Sequence, residues 1–270
     1  NEASYAVAEH ISGTTDWSVF ADIMNERAKE LGCVDSHFVN PNGLPDENHY
    51  PSSYDLARIG MAFFKNDLLC KISSTSRLDL EPTEKQPKHV IENSKNQLFP
   101  GKTYAYEYLV GSKTGYTVAA KSTLVSCAEK DGLKLIAVVM VEDSPAQFAD
   151  TVSLFQYGFE NFEKVNISQK ETRYQMENGN AFYGGSDIFG SSQPILSINT
   201  RDTIILPKTV PFEDLTSEIT YDTDSPDEAA LITYTYQGEF LGSVAVNFTD
   251  STEKGYDFTA AVEPEKKTSL

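Results

Sequence analysis

The dipeptide Asp131-Gly132 stands between two apolar runs, Ser122 to Ala128 and Leu133 to Val141, within the linking segment Glu129-Lys130-Asp131-Gly132. Asp-Gly favours the left-handed backbone of a tight turn whose twist matches two antiparallel strands, so this stretch predicts a β-hairpin. What precedes the hairpin, Gly111-Ser112-Lys113-Thr114-Gly115-Tyr116-Thr117, is then expected on or beside the strand that enters the same antiparallel sheet. Tyr104, Tyr106 and Tyr108 alternate just upstream and are expected to form one face of a strand.

A lysine, a hydroxyl and a glycine on a sheet edge make a site for an anionic, extended ligand. Composition narrows the partners further. The chain has 270 residues, enough for one large domain or two ordinary ones. Its apolar content of 40% supports a folded core. A net charge of −18 argues against nucleic acid or an anionic bilayer as the main partner, because both would repel it. Cys33, Cys70 and Cys127 are widely spaced and odd in number, which excludes a complete internal disulfide framework and suits small buried hydrophobes. His10, His37, His49 and His89 are scattered, with no His-Glu-x-x-His pattern to support zinc chemistry. No Gly-x-Ser-x-Gly elbow accompanies them, so a hydrolase triad of that kind has no support. No run is long and apolar enough to cross a membrane. The sequence starts at Asn1 without a signal-peptide pattern, which reads as a processed end or a break.

Helix and strand signals alternate in the first part of the chain. Glu2 to Ile11 reads as a helix ending near Gly13. Thr15 is the expected cap of a second helix with Phe20, Ile23, Met24, Ala28 and Leu31 on its apolar stripe and Gly32 as its stop. Phe38 to Tyr50, rich in Asn, Pro and Gly, reads as a loop, and Phe38 to Leu44 within it is expected to brace the site rather than react. Ser52 and Asp55 resemble a capping box for a helix through Ala57, Ile59 and Phe63. Ser144-Pro145 opens a helix with Phe148, Val152 and Phe155 inward. Beyond Glu163 the pattern changes to short β-like runs, Ile195 to Ile198, Thr203 to Leu206, Leu231 to Tyr236 and Gly242 to Phe248, with a turn at Gln237-Gly238-Glu239. The expected division is an α+β domain over 1–162, a small all-β sandwich-like domain over 163–262, and a polar tail over 263–270.

Taken in order, several segments resemble the serine-type D-Ala-D-Ala carboxypeptidases, the low-molecular-mass penicillin-binding proteins of peptidase family S11. Asn1 to His10 is similar to the family helix that begins with the Asn of its Ser-x-Asn motif. Met24 to Gly32, Phe38 to Pro45, His49 to Ala57, Gly111 to Gly115, and Tyr157-Gly158-Phe159 follow in the family's order. The resemblance covers Asn1 to about Phe162, and the β-rich remainder matches in architecture and position only. It implies the antiparallel sheet and helices of a penicillin-binding-protein or β-lactamase-like transpeptidase domain, incomplete here. The family's Ser-x-x-Lys element and the Ser of Ser-x-Asn are expected before Asn1. Ser251-Thr252-Glu253-Lys254 fits Ser-x-x-Lys by chance, after Lys-Thr-Gly and in a polar turn. Ser94-Lys95-Asn96 and Ser197-Ile198-Asn199 fit Ser-x-Asn only in letters. Gln147 stands where many members have Arg, and Tyr116 where they often have His, so substrate preference is expected to differ.

The resemblance also implies roles. Lys113 and Asn1 are the catalytic candidates, with Lys113 gripping the substrate carboxylate and Asn1 bonding the substrate amide and the catalytic lysine of Ser-x-x-Lys. Thr114 donates a hydroxyl to that carboxylate, Gly115 admits the substrate backbone, and the Tyr116 N–H is one oxyanion donor. The implied substrate is a peptidoglycan stem peptide ending in D-Ala-D-Ala, and β-lactams are the implied inhibitors. No metal or organic cofactor is implied. The expected location is outside the cytoplasmic membrane, with membrane association only through a segment not in this chain. The segment expected before Asn1 would supply strands and the central helix, so either a separate N-terminal fragment of the same protein completes the domain, or the chain associates or is partly disordered. The 270 residues alone are expected not to acylate. Two other readings stay open at this stage: a non-catalytic wall-binding or scaffold relative, and a serine β-lactamase.

Overall fold

The computed structural model describes residues 1–174, 196–221, 223, 225 and 227–248. The chain divides into two compact units, Asn1–Glu163 and Lys164–Leu270.

The first unit begins with two helices, α1 (Glu2–Ser12) and α2 (Trp17–Glu30), which pack together with the Tyr5 and Trp17 rings 3.8 Å apart. Gly13 ends α1 in a left-handed conformation at φ 71°. The cap of α2 is Asp16 rather than the expected Thr15. The Asp16 carboxylate accepts from the Ser18 N–H at 3.1 Å, a stronger interaction than a neutral hydroxyl offers at the positive end of a helix.

Next come α3 (Ser53–Phe63) and α4 (Asp67–Ser74). Ser52 caps α3 as its spacing suggests, accepting the Asp55 N–H at 3.1 Å. An exposed two-stranded ribbon follows, β1 (Arg77–Leu80) paired antiparallel with β2 (His89–Glu92).

The central sheet has three antiparallel strands in the order β3 (Leu109–Thr117), β4 (Lys121–Lys130) and β5 (Leu133–Glu142). The Asp131-Gly132 turn joins β4 to β5 with both residues at positive φ, 51° and 76°, as a two-residue hairpin requires. Helix α5 (Ala146–Asn161) covers one face. Its Phe148 packs with Leu98 and Leu124, and its Phe155 with Ala128 and Ala137. Strand alternation turns Val125 and Ile136 to the other face, where Gly60 of α3 packs directly on them.

The three alternating tyrosines lie in turns and irregular backbone, not in a strand. Local main-chain bonds such as Ala105 N–H to Lys102 carbonyl (3.3 Å) fold the segment. The rings still gather on one side because α5 offers them Phe148, Phe155 and Phe159. Aromatic burial therefore accounts for the alternation without any strand pairing.

In the second unit β6 (Phe162–Asn166) leads into a short helix, α6 (Ile167–Lys170), and then β7 (Leu196–Ile198), β8 (Thr203–Pro207), β9 (Thr216–Thr220), β10 (Glu228–Tyr236) and β11 (Glu239–Phe248). The strands form a four-stranded sheet, β7-β11-β10-β9, and a β6-β8 pair. Ile204 and Leu206 of β8 meet Ile232, Tyr234, Val244 and Val246 in one core. Gln237-Gly238, at φ 51° and 87°, makes the tight turn between β10 and β11. The mixed helix and antiparallel-sheet architecture agrees with the α+β expectation. Ser251 to Lys254 and the 263–270 tail lie outside the described residues.

Candidate active site

Strand β3 carries the Lys-Thr-Gly segment, and its position follows from its pairing. Within the described sheet it is an edge strand, bonded to β4 on one side only. Lys113 lies opposite Val125, Thr114 opposite Leu124, Gly115 opposite Thr123, and Tyr116 opposite Ser122. The strand is buried at Gly111 and Ser112 and emerges at Lys113, with Thr114 half-buried and Tyr116 72% exposed. The edge thus offers main-chain hydrogen-bonding groups to an extended ligand at the residues that bear the charge and the hydroxyl.

Two contacts seat the strand. At Gly111 it passes so close to α4 and the end of α3 that a β-carbon would strike the Ser73 hydroxyl and approach the Phe64 ring to 3.0 Å. On the opposite face Ser112 accepts a 2.5 Å hydrogen bond from the Asn96 side-chain amide. Behind Thr114 lies the Leu98, Leu124 and Phe148 cluster, so the exposed edge rests on a rigid apolar wall.

The Lys113 ammonium donates to the Thr114 carbonyl. The residue is exposed as a whole, yet partial desolvation around its ammonium holds its pKa below the ordinary lysine value. No carboxylate forms an ion pair with Lys113 among the described residues. A partly desolvated cation without a counter-ion suits an incoming carboxylate.

Sequence reasoning places Lys113, Thr114, Gly115 and Tyr116 together, and they share one strand. Asn1 stands apart from them in the described interactions. It occupies the cap position of α1, where its side chain makes no cap bond, and its terminal amine lies 3.4 Å from the Glu2 carboxylate. Among the described residues no hydrogen bond or ion pair joins Asn1 to β3.

The loop before α3 is held by buried groups. Asp55, fully buried, accepts from the Val34 N–H (3.2 Å), the Asp35 N–H (2.7 Å) and the Ser36 hydroxyl (2.8 Å). Burial pushes its carboxyl upward, but the hydrogen bonds outweigh that and hold its pKa below the ordinary value. Asn25 brackets Phe38, donating to its carbonyl and accepting its N–H, each at 2.8 Å. The start of the Phe38 to Tyr50 loop is thus tied to α2.

Asn96 and Ser112 were not legible as a pair. The apolar Leu98-Phe99 that follows Asn96 is the one local signal that the segment is buried. Gln147 is buried near the start of α5. Its amide nitrogen reaches the Ser144 hydroxyl at 3.4 Å, while its amide oxygen has no hydrogen-bond partner among the described residues. Among the described residues no cluster of three His, Cys, Asp or Glu side chains could hold a metal ion, and no helix is long and apolar enough to cross a membrane.

Comparison with known proteins gives the family to which this Lys-Thr-Gly sheet edge belongs. The sequence profile of the D-alanyl-D-alanine carboxypeptidase family, peptidase S11, matches residues 1–144, more than half of the chain, and the chain belongs to that family. It is 36% identical over 165 residues to D-alanyl-D-alanine carboxypeptidase DacF of Bacillus subtilis, covering 60% of this chain and 40% of that protein. It is 32% identical over 186 residues to DacA of Haemophilus influenzae, covering 68% and 44%. The chain thus spans less than half the length of these relatives. Among solved structures it is similar to penicillin-binding protein 5 from Haemophilus influenzae, with a TM-score of 0.62 and 25% identity over 92% of this chain and 69% of that one. It shares the fold of penicillin-binding protein 6B from Escherichia coli, with a TM-score of 0.58 and 24% identity over 91% and 64%.

Proposed function

We propose that this chain supplies the substrate-gripping part of a serine-type D-Ala-D-Ala carboxypeptidase that trims peptidoglycan stem peptides outside the cytoplasmic membrane. The observation that supports the reading is the Lys113-Thr114-Gly115 edge of β3, where a partly desolvated ammonium, without an ion-pair partner among the described residues, adjoins backbone unpaired in the described sheet. The substrate lies along β3 as an added strand. Its terminal carboxylate meets Lys113 and the Thr114 hydroxyl, and Gly115 leaves room for its backbone. The Tyr116 N–H contributes one oxyanion donor. Asn1 bonds the substrate amide and the catalytic lysine. The acylating serine and that lysine come from a Ser-x-x-Lys element preceding Asn1 in the family's order, so the 270 residues alone do not react. In the assembled enzyme the serine attacks the penultimate carbonyl, D-Ala leaves, and water hydrolyses the ester. β-Lactams acylate the same serine.

D-Ala release from a D-Ala-D-Ala-terminated tripeptide tests this in a polypeptide that also carries the Ser-x-x-Lys segment. Release is expected, and Lys113→Ala is expected to lower kcat/KM at least about 100-fold, the scale of losing a major electrostatic contact. Robust penicillin hydrolysis without D-Ala release would instead mark a β-lactamase. Neither activity would leave a wall-binding role.

A further inference from the structure

Asn96 belongs to a Ser-x-Asn match, Ser94-Lys95-Asn96, that the proposed chemistry does not use. Its side chain is fully buried, and its only described partners are the Ser112 hydroxyl and the Leu98 N–H. The Leu98 N–H can only donate, so the amide oxygen must face it at 3.1 Å and the amide nitrogen must face Ser112 at 2.5 Å. Leu98 is itself fully buried against Leu124 and Phe148. The amide therefore ties Ser112 to the core, one residue before Lys113.

Strand β3 needs such a tie. Among the described residues, strand pairing holds it only on the β4 side, and that pairing is interrupted by a register shift between Leu109 and Gly111. A bulge just upstream lets an edge strand bend and twist. Side-chain anchors are what remain to fix where Lys113 and Thr114 emerge, and Ser112, 1% exposed, is the nearest of them.

We infer that Asn96 is a positioning residue for the Lys-Thr-Gly strand, setting through Ser112 where the carboxylate-gripping groups stand on the sheet edge. The inference rests on the proposed reading of β3 as the substrate strand, but its physical content can be read without turnover.

The test uses the 270-residue chain with Asn96→Ala, Ser112→Ala and the double substitution. Amide hydrogen exchange reports the strand, and a pH titration of lysine 13Cε resonances, with Lys113 assigned through Lys113→Arg, reports the ammonium. Each single substitution is expected to speed exchange at residues 113–116 at least tenfold, with β5 changed less than twofold. The Lys113 titration should move up toward the ordinary lysine value, and the double variant should match Asn96→Ala. An unchanged β3 and Lys113 titration in folded Ser112→Ala overturns the inference. So does faster exchange spread evenly over the whole sheet, which marks a purely structural bond. Ser112→Ala removes a single oxygen and decides the question even if Asn96→Ala does not fold. Failure of D-Ala release would count against the carboxypeptidase reading and leave these two readouts untouched.

Discussion

Gly115 of β3 faces Thr123 of β4 so closely that a β-carbon at position 115 would overlap the Thr123 hydroxyl. A side chain at position 115 would therefore require the Thr123 hydroxyl to turn aside. Gly115→Ala should destabilise the chain by about 1 kcal/mol, the low end of the cost of added volume, since only the Thr123 hydroxyl must move. Thr123→Ala removes the obstructing hydroxyl, so Gly115→Ala/Thr123→Ala should recover most of that loss relative to Thr123→Ala alone. Urea unfolding of the four proteins checks this, and equal losses on both backgrounds would contradict the contact.

Asp55 makes the first unit sensitive to acid. Its carboxylate is held below the ordinary pKa by the Ser36, Asp35 and Val34 donors, against the opposing effect of burial. A depressed native pKa means the unfolded chain binds the proton more readily. The stabilisation is complete above the unfolded value, about 3.9, and is lost as pH falls through the native value. Asp55→Asn should lower the melting temperature at pH 7 and flatten its decline below about pH 4. Melting curves between neutral and strongly acidic pH will show whether the two profiles converge in acid.

In the β-rich unit, Tyr234 donates a 2.7 Å hydrogen bond to Glu171, and both side chains are fully buried. Arg173 holds the same carboxylate through a 2.8 Å contact. Burial would raise the Glu171 pKa, but the Arg173 and Tyr234 hydrogen bonds reverse the shift and keep it low. Tyr234→Phe leaves a buried carboxylate oxygen short of one donor and should cost about 1–3 kcal/mol. Calorimetry would detect the loss, and an unchanged transition would mean that solvent reaches the carboxylate.

The three cysteines should differ in reactivity. Burial pushes the Cys127 thiol up to about 12, and burial followed by the Asp55 charge also raises Cys33. At pH 8 only about one Cys127 in ten thousand is then a thiolate. Cys70 is only half-buried. Alkylation of the native chain, mapped by peptide mass, should label Cys70 first and reach Cys33 and Cys127 only on unfolding. Early labelling of Cys127 would contradict its environment.

How far the sequence carries depends on the range of the interactions. The β4–β5 hairpin was legible because Asp131-Gly132 and the apolar runs are local signals, and the Ser52 cap of α3 for the same reason. The Tyr104, Tyr106 and Tyr108 alternation misled because a period of two records which side is buried, not whether a strand pairs. The β1–β2 ribbon is exposed at all eight strand positions and carries no burial pattern to read. Lys113 to Tyr116 lie together because they are contiguous. The bond that seats them, Asn96 to Ser112, spans 16 residues and exists only once the chain has folded.

The proposed division of labour between this chain and a Ser-x-x-Lys segment is tested most directly with a fluorescent penicillin and denaturing electrophoresis. The account predicts no covalent band on the 270-residue polypeptide. It predicts a band on a polypeptide that adds the Ser-x-x-Lys segment, and a much slower one when Lys113 is replaced by Ala. A covalent band on the 270-residue polypeptide itself would contradict the account, because the acylated residue would then lie within this chain.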